Sequence, residues 1–254
     1  MCSRVLFIHS LNGGAMKRFL QLLVTLLSIP LLTIIAVAEG TIYRLNDLGI
    51  SIEIPSDVTV LTRDVNPDHD GLELTGMSAE DYINSLKETD TYLEAIGEDW
   101  GVMSIVMNDI GQGNMNELSE SELQQVILGI EESSTAESIC YMHDVYQHSQ
   151  EKFLKFYWRT IRNLRVWDPG YVLQYYTVCN GKAINIYFDF RNGEIDEEKE
   201  TMAESIIASI VFFDISDVES LDIGKMQSVS FAVYFSVLGI LLLLYFSVKR
   251  KRKN

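Results

Sequence analysis

The chain has 254 residues, 47% of them hydrophobic, and a formal net charge of −16. All 36 acidic residues lie between Glu39 and Asp222, but only 12 of the 20 Lys and Arg lie between Glu39 and Ser228, so that region carries −24 and the two ends together +8. A field of that sign excludes nucleic acid as a partner, because binding it depends on Lys and Arg neutralising phosphates, and it disfavours lying on an anionic membrane surface.

Met16-Lys17-Arg18 opens an apolar run from Phe19 to Ala38 that is broken at Pro30 and closes on Ala36-Val37-Ala38. A basic start, an apolar centre and a small-residue exit make a secretory signal peptide. Residues 1–38 are therefore read as a signal cleaved after Ala38, with an uncleaved anchor as the alternative. The first fifteen residues do not fit the pattern. Translation from Met16, with Gly13-Gly14 encoding a bacterial ribosome-binding sequence, accounts for them.

Residues 39–214 read as the exported domain. Ile50-Ser51-Ile52-Glu53-Ile54 alternates with period two and is stopped by Pro55, and Val58 to Thr62 is the next strand. Ser78 with Asp81 caps a helix whose apolar face holds Tyr82, Ile83 and Leu86. Thr91 to Ile96 and Val102 to Met107 follow as strands. Ser119 with Glu122 is a stronger capping box, and Leu123, Val126, Ile127 and Ile130 form an amphipathic stripe. Long strands run over Ser138 to Gln147 and Phe153 to Arg162.

Tyr171 to Cys179 and Lys182 to Phe190 flank Asn180-Gly181, the preferred pair for a type I′ hairpin. Counting outward pairs Cys179 with Lys182, Thr177 with Ile184, Tyr175 with Ile186 and Leu173 with Phe188. The opposite face, Gln174, Tyr176, Asn185 and Tyr187, is half polar and either meets solvent or is covered by a helix. Asp196 caps a last helix carrying Met202, Ile206, Ile207 and Ile210.

Residues 215–228 are a polar linker. Val229 to Val248 is 20 residues without a charge, which at ~1.5 Å per residue spans a hydrocarbon core of about 30 Å. Residues 249–254 form a basic tail, and Lys249 to Lys253 holds that end in the cytoplasm. The expected arrangement is a single-pass membrane protein with its domain outside and its C-terminus inside. A covalent wall-sorting signal is excluded, since no motif of the Leu-Pro-x-Thr-Gly type precedes the apolar run.

Long antiparallel strands interspersed with helices predict an α+β fold. The chain resembles the PsbP-like superfamily, in its exported bacterial members rather than in the photosystem subunit. Leu48 to Pro55, Gly76 to Asp81, Tyr92 to Ala95, Tyr175 to Val178 with Asn180-Gly181-Lys182, Ile184 to Phe188 and Ser209 to Phe212 carry that resemblance. It implies an αβα sandwich around a central antiparallel meandering sheet. It implies no activity.

Candidate chemistry is sparse. Asn66 to Gly71 resembles the start of a calcium loop, but position twelve is Met77 where a bidentate acid is needed. Cys140, His143 and His148 suggest metal ligands, but on a regular strand 140 and 143 point to opposite faces, as do 143 and 148, so a site needs a bulge. Cys140 and Cys179 lie about two strand spacings apart, roughly 9.5 Å. That is beyond disulfide reach, and two free thiols are expected.

Aromatic residues gather at Phe153, Phe156, Tyr157, Trp158, Trp167, Tyr171, Tyr175 and Tyr176, some inward as core and some outward. The outward set lies beside Arg159, Arg162 and Arg165, the one basic strip of the domain. Arg159, Arg162, Arg165 and Trp167 are the candidate binding residues, against core packing and charge balance as the plainer account. No catalytic residue, metal or cofactor is implied. The sequence reads as a membrane-anchored binding or assembly module with a possible protein partner in the cell envelope. An envelope hydrolase with a dispersed site and a sensor or accessory subunit of a membrane complex are the alternatives.

Overall fold

The computed structural model describes residues 40–97, 101–111, 113–163, 168–190, 193–213 and 215, with backbone alone at 162, 163, 168 and 169. The expected signal, the span at 229–248, the basic tail and all but the first residue of the linker lie outside these residues. Among the described residues no helix is long and apolar enough to cross a membrane.

The strands are β1 (Gly40–Leu45), β2 (Ile50–Pro55), β3 (Thr59–Thr62), β4 (Thr91–Gly97), β5 (Gly101–Asp109), β6 (Ser138–Gln147), β7 (Lys152–Asn163), β8 (Asp168–Cys179), β9 (Lys182–Phe190) and β10 (Val211–Phe212). The helices are α1 (Leu72–Thr75), α2 (Ala79–Glu88), α3 (Glu120–Glu131) and α4 (Glu197–Ala208), with a 3₁₀ turn at Met115–Glu117.

The helix starts are where the capping residues place them. Ser78 Oγ accepts from Asp81 N at 3.1 Å, and Asp196 Oδ1 accepts from Lys199 N at 2.9 Å. Ser119 and Glu122 exchange backbone and side-chain bonds as a full capping box. Each satisfies N–H groups that a helix start leaves orphaned. Asn180 and Gly181 have φ of 51° and 73°, the left-handed pair that a two-residue hairpin requires. The register of β8 on β9 follows from it as counted, from Cys179–Lys182 to Leu173–Phe188.

All strand pairs are antiparallel, and they form two sheets. The main sheet has seven strands in the order β3-β4-β5-β9-β8-β7-β6, and a small one has the order β1-β2-β10. This corrects the single meander expected from sequence. The main sheet is two meanders, β3 to β5 and β6 to β9, joined where β5 pairs with β9.

Paired residues share a face. Val60, Ala95, Met103, Phe188, Leu173, Tyr157 and Met142 cross the front face, and Leu61, Glu94, Ser104, Tyr187, Gln174, Phe156 and His143 cross the back. The front face packs against Ile50, Ile52 and Ile54 of β2 and Ala203, Ile206 and Ile207 of α4. The back face meets Leu123, Val126, Ile127 and Ile130 of α3. At its β3 end, Leu61 meets Tyr82 and Leu86 of α2 and Leu72 of α1. The half-polar row Gln174, Tyr176, Asn185 and Tyr187 is thus covered and buried. Helices lie on both faces, as the α+β expectation holds, and the small sheet shares the front layer with α4.

Candidate functional site

β6 is an edge strand of the main sheet, and it carries three of the large exposed hydrophobic side chains: Ile139, Tyr141 and Met142 are 39%, 50% and 47% exposed. Their grouping has a backbone cause. The register of β6 on β7 slips between Cys140, opposite Trp158, and Met142, opposite Tyr157. Tyr141 is the extra residue of a β-bulge, which re-aims a side chain and bends an edge. Ile139, opposite Arg159, and Met142, opposite Tyr157, both lie on the front face. Tyr141 joins them there, its ring tilted on Tyr157 with centroids 6.2 Å apart.

Arg159 is exposed in the middle of this group, between Ile139 on one neighbouring strand and Tyr171 on the other. Tyr171 donates to Glu194 Oε1 at 3.1 Å. Burial raises the Tyr141 hydroxyl pKa, with Tyr171 and Glu194 adding to the shift and Arg159 opposing it. Arg159 and Glu194 therefore act with opposite sign on the same two tyrosines, yet among the described residues they form no ion pair with each other. The patch is apolar and aromatic, with Arg159 among its side chains and Glu194 bound by Tyr171.

Of the four residues expected to bind, Arg159 is on this surface. Arg162 is the residue that bulges out of β7 between Ile161 and Asn163. Arg165 and Trp167 lie outside the described residues. The neighbouring aromatics divide unequally: Phe153, Phe156, Tyr157, Trp158, Tyr175 and Tyr176 are all buried, so the plainer core account holds for them. Sequence reasoning missed Tyr141, Met142 and Ile139, because alternation does not reveal a bulge.

The same bulge corrects the face assignment around Cys140. With one residue inserted, Cys140 and His143 both lie on the back face, opposite Trp158 and Phe156. His143 Nδ1 lies 2.6 Å from Glu131 Oε1 of α3. His148 is instead packed edge-on against Phe153 and Phe212 on the front side. Burial and then the Glu131 charge push the Cys140 thiol up to about 11, and burial pushes Cys179 up to about 12. Both thiols are protonated near neutrality, the opposite of an activated nucleophile. They are free cysteines with β7 between their strands.

Two buried carboxyls have raised pKa values. Burial lifts Glu94, against the bond it accepts from Tyr82 at 2.5 Å. Burial lifts Glu151 to about 7, against the bond it accepts from Asn116 N at 2.6 Å. Glu94 is on β4 and Glu151 adjoins β7, four strand spacings or about 19 Å away across the sheet. They cannot act as a pair on one bond, since paired carboxylates at a glycosidic centre sit within about 10 Å.

A third polar cluster ties α4 to the front face. Lys155 Nζ binds Glu200, and Glu204 at 2.7 Å, while Tyr157 donates to Glu200 at 2.5 Å. Burial works against the Lys155 charge, but the bonds to Glu200, Glu204 and Tyr157 outweigh it and raise its pKa. Glu200 is correspondingly lowered, burial being opposed by Lys155 and Tyr157.

The described unit is thus an antiparallel α+β domain whose most distinctive surface feature is an aromatic, arginine-bearing patch at a sheet edge. No protein-family model matches the chain, and no curated protein matches it. Among solved structures it is similar to cyanobacterial PsbP (CyanoP) from Synechocystis sp., with a TM-score of 0.41 and 10% identity over 70% of this chain and 95% of that one. It is similar also to the Ran-binding protein Mog1p of Saccharomyces cerevisiae, at 0.41 and 9% over 69% of this chain and 96% of that one. These likenesses are distant, and no ligand or partner passes from them to this chain.

Proposed function

We propose that the chain is a membrane-anchored module that binds protein outside the cytoplasm through the front face of β6, β7 and β8. The observation that carries this is the grouping of Ile139, Tyr141 and Met142 around Arg159 on one face of an edge strand. Tyr, Met and Arg are enriched at protein interfaces, and exposed apolar groups gathered on one face mark interaction sites where scattered ones do not. The address comes from the sequence: a signal at 1–38, a span at 229–248 and a basic tail that keeps the domain outside. The charge of −24 over residues 39–228 favours a protein partner over an anionic lipid surface.

A photoreactive amino acid placed at Tyr141 of the full chain in living cells tests this. Cross-links to protein are expected there and not at Leu74, which is equally exposed on α1. Cross-linking at both positions alike, or at neither, contradicts the proposal.

A further inference from the structure

The β6–β7 turn, residues 148–151, grips the C-terminal strand. We infer that this turn is a pH-sensitive clamp, closed on β10 while Glu151 is protonated and opened when Glu151 ionises. The inference stands apart from the binding role proposed for the front face of β6.

The grip is made by a side chain that substitutes for a strand. β10 pairs with β2 along one edge, Val211 opposite Ser51, and Phe213 N donates to Gly49 O at 2.8 Å. Along the other edge Phe212 N donates to Gln150 Oε1 at 3.0 Å, and Gln150 Nε2 donates to Phe212 O at 3.2 Å. One carboxamide thus satisfies both backbone groups that an edge residue leaves open. The Phe212 ring closes the contact against His148 and Phe153. β10 itself is two residues long and has β2 as its one neighbouring strand among the described residues. It leads into the linker at 215–228, so on the proposed topology the clamp sets how firmly the anchored end is tied to the domain.

Glu151 controls how firmly Gln150 is held. Gln150 N donates to His148 Nδ1 at 3.2 Å, and Gln150 O accepts from Asn116 Nδ2 at 2.9 Å. Asn116 is in turn fixed by Glu151, whose Oε1 accepts from Asn116 N at 2.6 Å. The other oxygen, Oε2, is buried and has no hydrogen-bond partner among the described residues. A neutral carboxyl tolerates that position far better than a carboxylate, which is costly to bury without full pairing. Glu117 on the 3₁₀ turn is a like charge, Lys152 on β7 is the cation that opposes it, and the Cys179 thiol on β8 is protonated near neutrality. Charge on Glu151 therefore favours opening of the turn to water, which frees Asn116 and with it Gln150. His148 in the same turn works in the opposite sense, since burial holds its pKa down and it loosens the turn as pH falls.

Burial raises Glu151 from 4.5 to about 7, so its support for the closed turn is full below about pH 4.5 and is lost as pH rises through about 7. Between those two values, linkage makes the opening constant about 70-fold larger at pH 8 than at pH 5.

Hydrogen exchange of the full chain in detergent, read by NMR at single amides and corrected for the intrinsic pH dependence of exchange, tests this. The amides of Asn116 and Phe212 are expected to open without dependence on low urea, as local openings do. The ratio of their opening constants in the native chain to those in Glu151→Gln, which keeps His148 but cannot ionise at 151, is expected to rise about 70-fold from pH 5 to pH 8. Amides of the β8–β9 ladder are expected to open only with the steep urea dependence of global unfolding. Gln150→Ala is expected to raise opening at Phe212 at both pH values and to leave Asn116 responsive to pH. The inference is overturned if Phe212 opens only together with the β8–β9 ladder, since the clamp then has no motion of its own. It is overturned equally if the native chain and Glu151→Gln respond alike to pH, or if Gln150→Ala leaves the Phe212 amide unchanged.

Discussion

Glu151 shows how a single side chain can set the pH dependence of this domain. It is 1% exposed, and its Oε1 accepts from Asn116 N. The same asparagine accepts from Lys152 N and donates to the carbonyl of Gln150. The 3₁₀ turn is therefore stapled onto the β6–β7 turn, with Glu117 and Lys152 as the charges acting on Glu151. A carboxyl raised from 4.5 to about 7 holds its proton more tightly folded than unfolded. Its contribution to stability is full below about pH 4.5 and is lost as pH rises through about 7. Glu151→Gln keeps an acceptor for Asn116 and cannot ionise. Relative to the native chain it should gain about 3 kcal/mol between pH 4 and pH 8, read by urea unfolding at both values; an unchanged difference would remove Glu151 as the cause. Nothing in the sequence flagged Glu151, whose surroundings come from segments more than thirty residues away. Arg159 was legible because a basic residue among aromatics is conspicuous in an acidic domain. Tyr141 was not, since its direction depends on a bulge that follows from pairing rather than from local pattern.

At the scale of elements, local signals and distant pairings separate cleanly. The starts of α2, α3 and α4 and the β8–β9 register were legible because caps and Asn180-Gly181 act within a few residues. The small sheet was not, because β2 finds β10 across the whole domain, Ser51 opposite Val211, and β10 is only two residues long. The pairing of β5 with β9 was hidden for the same reason. The position of α4 depends on its apolar residues and on Lys155, whose side chain is 4% exposed against 35% and 39% for Glu200 and Glu204. That asymmetry predicts an order of effects. Replacing both acids, Glu200→Gln with Glu204→Gln, strands a buried cation and should cost about 3 kcal/mol. Lys155→Met should cost less, because the two carboxylates left behind regain water. Thermal or urea unfolding of the two variants ranks them, and the reverse order would mean that the acids rather than the lysine bear the burial.

At the scale of the whole described domain, the C-terminal strand and the patch on β6 lie apart. The last paired residue, Phe212, packs on His148 and Phe153 beside the β6–β7 turn. Arg159 lies six residues further along β7, about 20 Å away at the rise of a strand. The chain thus leaves the described domain at one end of the strands, and the patch stands towards the other. The surplus of acid makes the surface repulsive to anionic partners, whereas the patch presents the exposed Arg159. The central claim is that the front face of β6 is covered when the protein is in place. Hydroxyl-radical footprinting of the full chain tests this most directly, with oxidation of Tyr141 and Met142 compared between the native membrane and dilute detergent solution. The account predicts several-fold protection of both residues in the membrane, with Leu74 and Leu128 oxidised alike in the two states. Equal oxidation of Tyr141 and Met142 in both states would contradict it.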